Sequence, residues 1–521
     1  MRAWTQALRE GGERAPDRSA FLEDGAATSY AAAASRSNGL ARALADLGLQ
    51  RGDRVGLLLA RATDRALALF AVAQAGGVAV SINRRLVASQ VAHLARDCEM
   101  RACIVDRALL GLLAGEALPP LAFVVERAVA DASPCEDGDG APVVTRYDFD
   151  ALCAVAGSVD AGGAGDELAA ILYTSGSSGP PKGVMLSHAN LAALGTGGAE
   201  HLALGPADRV LGLLELSNIA GLGQLLSVVA SGATHVFRAF SPFDDYAALL
   251  RAEAITGLSV TPTHCAAFEV RRADFEIAPF PRLRFVACGG GALPDRTRRL
   301  LAGFFAGARI ELVYGLTEAM RCASTTPEEV DRSPGYLGRP IGATRMLVVD
   351  AAGHPLPPGT EGEIVVCGPQ VALGYWRRPA ETARAFRPPP DHADGRAHYT
   401  GDLGLLDGEG GVTWRGRMDA QIKSAGYRIS PTEIEGVLAT NPQVAAAAVV
   451  GVADDLLGEA VHAFVVPRAG AAVLDVAALR RYCRAELPAY MVPQRISVLD
   501  ALPTTASGKV DYPALRRAPR S

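Results

Sequence analysis

The stretch LAAILYTSGSSGPPKGV, residues 168–184, decides how the chain is read. Leu168 to Tyr173 is a short apolar run that predicts a buried strand, and it leads directly into a turn rich in glycine and hydroxyl groups. The ten residues from Thr174 to Gly183 hold four hydroxyls and three glycines, and Lys182 stands next to the end. Such a backbone can wrap an anion, with hydroxyl donors for its oxygens and one ammonium for its charge. A triphosphate is the guest this chemistry suits. The plain alternative is a flexible Gly/Ser linker, but linkers rarely follow a buried strand or close on Pro-Pro-Lys-Gly. The pattern is not a Walker loop, because Gly183 and not Ser or Thr follows Lys182.

Lysine usage points the same way. Of 51 basic residues only Lys182, Lys423 and Lys509 are lysines. A chain that uses Arg wherever Arg will do keeps Lys where a compact, flexible ammonium is needed and a planar guanidinium fits poorly. The surrounding composition is that of a large soluble enzyme: 521 residues, enough for several domains, with 49% hydrophobic and 21% charged residues. A formal charge of −5 gives no pull toward nucleic acid or anionic membranes. Arg2, Arg9, Glu10 and Glu13 interrupt any leader-like apolar run, and Gly76 and Gly77 break the most apolar stretch, so neither export nor a membrane span is expected. Nine scattered cysteines without a CxxC pair suit reduced, buried thiols in a cytoplasm.

Periodicity organises the rest. Helical faces at 31–47 and 64–74 alternate with β-rich runs at 55–59 and 78–82, which predicts a first βα series. The Ala-, Gly- and Asp-rich segment 130–166 reads as a surface connection around one short helix, and DGDG at 137–140 as a turn. A second βα series follows, with strands near 169–173, 209–214, 235–237, 257–261, 283–288 and 310–314. After Gly335, segments such as RMLVVD and GEIVVCG with Gly turns predict a small antiparallel, barrel-like third body. From Arg417 onward a compact unit is predicted, with helices at 431–439 and 476–487, strands at 444–450 and 461–466, and a polar loop at 504–509. The expected class is α/β: an N-terminal domain over 1–416 made of two βα sheets and a β-rich part, and a small α+β domain over 417–521.

YTSGSSGPPKGV resembles the phosphate-loop signature of the adenylate-forming superfamily, which includes acyl-CoA synthetases, adenylation domains of nonribosomal peptide synthetases and beetle luciferase. Ser177 and Ser178 stand where two threonines are usual, so hydroxyl chemistry is retained. The resemblance runs in order along nearly the whole chain, from GDRV at 52–55 and AVAQAGGVAVSIN at 71–83 to the C-terminal loop. It implies that Thr174, Ser175, Gly176, Ser177, Ser178, Gly179 and Lys182 hold ATP phosphates. CGGGALP at 288–294 resembles the adenine-side loop, which brings in Gly290, Gly291 and Ala292. VYGLTEA at 313–319 resembles the next signature: Tyr314 and Gly315 near adenine, Thr317 near the α-phosphate, and Glu318 as the Mg²⁺ ligand. A carboxylate beside phosphates needs a bridging cation, and Mg²⁺ prefers oxygen ligands.

In YTGDLG and GRMDAQIKSAGYRISPTEIE the resemblance assigns Asp402 to the ribose hydroxyls, with Arg417 assisting, and places a hinge at Asp419. Ala420 departs from an often acidic position. Lys423 and Gly426 fall on the loop that faces the thiol acceptor, where a glycine leaves room for a narrow pantetheine arm. PTTASGKVD at 503–511 resembles the C-terminal catalytic loop, so Lys509 becomes the ammonium that bridges carboxylate and α-phosphate. Lys509, Glu318, Thr174 and Lys182 are the implied catalytic set.

One segment departs from the pattern. LLELSNIAGL at 213–222 aligns with a stretch often written LPLFHxxG, so Glu215, Ser217 and Asn218 replace Pro, Phe and His. Ser217, Asn218, Gly221, Thr263 and Gly289 are the candidate acyl-pocket residues, with Asn218 proposed to hydrogen-bond a polar substituent of the acid. His264 is a further candidate, though a lone His is more often structural. The implied activity is ATP-dependent conversion of a carboxylic acid to acyl-AMP with release of pyrophosphate, then acyl transfer to coenzyme A. An amine or a carrier-protein phosphopantetheine is the alternative acceptor, and a chain without an attached carrier segment points to a diffusible one. The absence of GxSxG and HExxH motifs agrees with a non-hydrolytic mechanism.

Overall fold

Short apolar runs ending at glycine or polar turns become the strands of three sheets. The computed structural model describes residues 4–113, 118–127, 145–159, 163–174, 181–241, 244–261, 264–265, 267–268, 274–275, 280–289, 295–326, 328–329, 335–391, 394–418, 422–429, 431–468, 474–503, 510 and 512–517. The first sheet runs, in spatial order, Gly374–Tyr375, Lys182–Ser187, Leu168–Thr174, Val78–Ser81, Arg54–Leu58, Ala102–Asp106, Phe123–Arg127 and Arg146–Asp148. From Leu168–Thr174 onward its pairings are parallel, which requires crossover connections and covers both faces. The helix Ala62–Gln74 is one such crossover. It is buried at every position from Thr63 to Gln74, because it lies inside the main core rather than on a surface.

The second sheet carries the later βα series in parallel order Ser19–Glu23, Thr234–Phe237, Arg209–Gly212, Gly257–Val260, Phe285–Gly289 and Arg309–Tyr314. Two features escape linear periodicity. The N-terminal strand Ser19–Glu23 joins the far end of this sheet, inside the edge strand Ala26–Ser29, rather than the first sheet. The antiparallel strands after Gly335 are not a detached body: Ala323–Ser324 and Tyr336–Pro340 hydrogen-bond them into the same sheet, through Val412–Arg417. Backbone groups at a sheet edge demand partners, and here the next chain segment supplies them.

The third sheet, with Tyr427–Ile429, Ile422–Ser424, Gly458–Pro467, Val444–Asp454 and Arg495–Val498, has its own core of Ile422, Ile434, Leu438, Val449, Val461 and Leu479. The helices Pro431–Thr440 and Val476–Glu486 cover it. Among the described residues no helix is long and apolar enough to cross a membrane. Cys98, Cys103, Cys153, Cys265, Cys288, Cys322, Cys367 and Cys483 are buried thiols.

Gly338 marks the join inside the second sheet. Its φ is +83°, and a Cβ there would stand 1.9 Å from the Ser324 carbonyl oxygen. Gly338→Ala is therefore expected to cost about 3 kcal/mol or more in a denaturant melt. Gly342→Ala, with φ +56° and nothing within 4 Å, is expected to cost only about 1 kcal/mol.

Candidate active site

The strand that opens the phosphate loop and the strand that leaves it form an antiparallel pair in which Thr174 faces Lys182. This register brings the two ends of the loop together. Ser175, Gly176, Ser177, Ser178 and Gly179, between them, lie outside the described residues, as do Gly290, Gly291, Ala292, Thr263, Asp419 and Lys509. Lys182 is not a loop-tip residue; it begins the returning strand. Its Nζ lies 5.2 Å from the centroid of the Tyr375 ring. Tyr375 in turn donates its hydroxyl to Glu318 Oε1 at 2.9 Å. The Glu318 carbonyl accepts from Ala372 N at 2.9 Å, so the Thr317–Glu318 turn is fixed against the segment that ends in Tyr375. Lys182 and Glu318, of opposite charge and from different sheets, are thus held around one phenol.

Thr174, Lys182, Gly289, Gly315, Thr317 and Glu318 line one side of a cavity of about 990 Å³. A Cβ on Gly289 would come within 3.1 Å of the Val313 carbonyl oxygen, and one on Gly315 within 2.6 Å of Arg321 N, so both glycines permit close approach of neighbouring backbone. The cavity is of the size that takes a small-molecule ligand.

Asp402 is 1% exposed and has both carboxylate oxygens engaged: Tyr314 Oη donates to Oδ2 at 2.6 Å, and Trp414 Nε1 to Oδ1 at 3.2 Å. Neither Asp402 nor Tyr314 lines the cavity in this arrangement. A buried carboxylate must find donors, and these two aromatic groups provide them. Arg417 is paired with Asp402 through the main chain of adjacent strands. Lys423 Nζ sits 4.3 Å from the Trp414 ring centroid, next to this group and away from the cavity wall.

The C-terminal unit contributes to the lining. Ala425, Gly426, Tyr427, Glu433 and Tyr490 line the same cavity. Gly426 has φ +80°, and a Cβ on it would meet Thr261 at 3.4 Å. Arg85 Nη1 donates to Tyr427 Oη at 2.7 Å, and Tyr427 stacks on Tyr490 with ring centroids 3.8 Å apart.

The 213–222 segment is tied into the scaffold at several points. Asn218 Oδ1 accepts from Gly221 N at 2.8 Å, so Asn218 is the N-cap of the helix Ile219–Ser231. Its acceptor serves the helix terminus, although the residue borders the cavity beside Ser217. A Cβ on Gly221 would strike the Glu215 carbonyl oxygen at 2.3 Å, so this glycine permits close packing of the segment on itself. Glu215 accepts from Arg84 Nε at 3.4 Å and faces Arg65 Nη1 at 3.6 Å, which gives its charge a partner where relatives often have proline. His264 Nδ1 accepts from Thr261 N at 3.2 Å, and burial lowers its pKa to about 4, helped by Arg85, so a neutral imidazole borders the cavity. Tyr375 and Trp414 escaped the sequence reading, since nothing in their local spacing announces a partner far along the chain.

A family model described as "AMP-binding enzyme" matches residues 8–376, and "AMP-binding enzyme C-terminal domain" matches residues 433–509. The chain is 34% identical over 99% of its length to a probable non-canonical nonribosomal peptide synthetase of Salinispora arenicola, of which it spans only 6%. It is 33% identical over 92% of its length to 2-succinylbenzoate–CoA ligase of Geobacillus kaustophilus, and covers 90% of that protein. A double mutant of o-succinylbenzoate CoA synthetase from Bacillus subtilis, bound with its product analogue, superposes with TM-score 0.83 at 25% identity over 99% of both chains. The same enzyme in complex with AMP gives 0.68 at 26% identity, over 100% of this chain and 98% of that one. An amide bond synthetase from Marinactinospora thermotolerans gives 0.83 at 25% identity over 99% of both.

Two measurements probe this geometry. Asn218→Ala should cost about 1 kcal/mol of stability through loss of the cap, while Asn218→Asp keeps most of it. Burial raises the Glu433 pKa from 4.5 to about 7. The native state then holds a proton that the unfolded chain releases, so the Glu433 contribution to stability falls as pH rises from about 4.5 to about 7. Glu433→Gln should accordingly raise the melting temperature at about pH 8 and have little effect at about pH 5.

Proposed function

The chain belongs to the AMP-binding enzyme family, and on that premise we propose that it activates a carboxylic acid with ATP and passes the acyl group to coenzyme A. The observation that carries this reading is the common cavity lined by Thr174, Lys182, Thr317 and Glu318 together with Ala425, Gly426 and Tyr427. Phosphate-binding chemistry and a narrow, glycine-lined approach meet there.

In the first step the substrate carboxylate attacks the α-phosphate in line, forming the acyl–phosphate bond and expelling pyrophosphate; no protein nucleophile is needed. Thr174, Lys182 and residues 175–179 would cradle the phosphates. Gly290, Gly291, Ala292 and Tyr314 would border adenine, and Asp402 with Arg417 would take the ribose once Tyr314 and Trp414 release the carboxylate. The Glu318 carboxylate suits Mg²⁺, since Tyr375 orients Oε1 and the group borders the cavity as an oxygen donor. Mg²⁺ bound there would neutralise charge on the phosphate oxygens. Lys509 would bridge the reacting carboxylate and the α-phosphate.

The second step attaches the thiol sulfur to the acyl carbon and expels AMP. For this we assign residues 1–416 and 417–521 to two domains with a hinge near Asp419, so that rotation withdraws Lys509 and presents the Lys423–Gly426 loop. The higher TM-score with the product-analogue complex than with the AMP complex of one enzyme supports such a rotation, the present arrangement being nearer the former. The equal likeness to an amide bond synthetase supports an amine as the second reading for the acceptor, and the synthetase relative a carrier-protein thiol.

The decisive assay is acid-dependent pyrophosphate release over a broad acid panel, followed by mass analysis of products with CoA, amines or carrier protein. A thioester of CoA is expected; product with an amine or carrier protein alone would replace that acceptor. Lys509→Ala should lower the first step by about 10²-fold or more. Gly426→Leu should lower thioester formation by about tenfold or more while ATP–pyrophosphate exchange persists, because its side chain would fill the approach beside Thr261.

A further inference from the structure

Arg321 follows the Thr317–Glu318 turn and lines the same cavity. Its backbone has φ +41°, a left-handed conformation that a non-glycine residue seldom adopts. The turn is fixed on both sides: Leu316 N donates to Ala319 O at 2.8 Å, and Cys322 N to Tyr314 O at 2.7 Å. From there the side chain reaches the pair of helices His188–His201 and Ile219–Ser231. Its Nε lies 3.8 Å from where a Cβ on Gly198 would stand, in a spot where the Ser227 hydroxyl is also close. Leu194, Ala220 and Gly223 of the same two helices form the cavity wall beside it.

Among the described residues no group accepts a hydrogen bond from the guanidinium. Nη1 is sealed from solvent without a hydrogen bond, and among the described residues Arg321 makes no ion pair. Burial lowers its pKa, only partly offset by the charge of Glu311. Glu311 cannot serve as the missing partner. His201 Nε2 lies 2.8 Å from its Oε2, Ser324 Oγ donates to the same oxygen at 3.3 Å, and Arg309 Nε closes on Oε1. The Ser227 hydroxyl donates to Gly223 O at 2.7 Å. Arg65, a buried arginine on the same cavity, also has Nε and Nη1 without a hydrogen bond, but it donates to the Leu59 carbonyl and faces Glu215 at 3.6 Å, whereas Arg321 is half-buried and has no such ion pair among the described residues. A desolvated cation without an acceptor is costly and is retained where a ligand supplies the counter-charge. A guanidinium fork matches a carboxylate bidentately.

We propose that Arg321 is a specificity residue that binds a second anionic group, a carboxylate, on the acid substrate, so that the preferred substrates are dicarboxylic acids activated at one end. This rests on the acid-activating reading above and narrows its substrate class. One carboxylate is presented to the α-phosphate near Thr317 and Glu318, and the other is held by Arg321 at the helical wall, both within one cavity.

The test compares chain-length-matched alkanoates and alkanedioates in acid-dependent pyrophosphate release, with the wild-type chain, Arg321→Met and Arg321→Lys. Wild type should favour the best diacid over its monoacid partner by about tenfold or more in kcat/KM, the worth of a charged hydrogen-bonded pair. Arg321→Met should remove most of that preference, leave the KM for ATP in place and keep or raise the melting temperature, since an unpaired buried charge is gone. Arg321→Lys should restore part of the preference. Wild-type preference for monoacids, an equal loss for both acid classes, or a large fall in melting temperature would each overturn the assignment. If no acid releases pyrophosphate, the ligase reading fails by itself, and thermal shift by free alkanedioates still decides the point. A shift in wild type that is absent in Arg321→Met supports the site; no shift, or the same shift in both, overturns it.

Discussion

The hydrogen bond from Tyr375 to Glu318 is the contact around which the cavity is built. Tyr375 belongs to the edge of the first sheet, where it pairs with Val184 next to the strand start at Lys182. Glu318 belongs to the turn after the strand Arg309–Tyr314 of the second sheet. A lysine and a glutamate left to themselves across a cleft would pair directly or drift toward water. The phenol instead gives the carboxylate a neutral donor and the ammonium an aromatic face, so both charges keep their remaining valence for a ligand. That arrangement joins the two sheets and also leaves a site of mixed sign, as a phosphate with a divalent cation requires.

The C-terminal unit adds the second constraint. Its core is separate, and its contacts with the rest of the chain include the Arg85–Tyr427 hydrogen bond, the Lys423–Trp414 contact and the close approach of Gly426 to Thr261. Asp402 is satisfied inside the protein by its donors Tyr314 and Trp414, and Lys423 rests on the second of them. The Asp402 carboxylate and the Lys423 side chain therefore share one cluster of aromatic groups.

Departures from a family pattern have separable causes here. Glu215 is accounted for by Arg65 and Arg84, Asn218 by the helix end it caps, and Gly221 by the backbone pressed against it. None of these needs a substrate. Arg321 differs in that, among the described residues, it makes no side-chain hydrogen bond or ion pair, and only the charge of Glu311 partly offsets its burial.

The sequence by itself determined the contiguous features. The alternation of apolar runs placed most strands and helices to within a few residues, and the hydroxyl- and glycine-rich loop, the TEA turn and the GKV loop declared a nucleotide chemistry because their function lies in adjacent residues. Only the tertiary structure decided which distant side chains meet. Tyr375 lies 57 residues from Glu318, Tyr314 lies 88 from Asp402, and Arg85 lies 342 from Tyr427, separations that carry no local periodicity. The N-terminal strand joined the second sheet, and the strands after Gly335 were merged into it, for the same reason: edge hydrogen bonds are satisfied in space and not along the chain. Asn218 shows the limit most clearly, since its chemistry was read from the residue type while its use was set by the helix it begins.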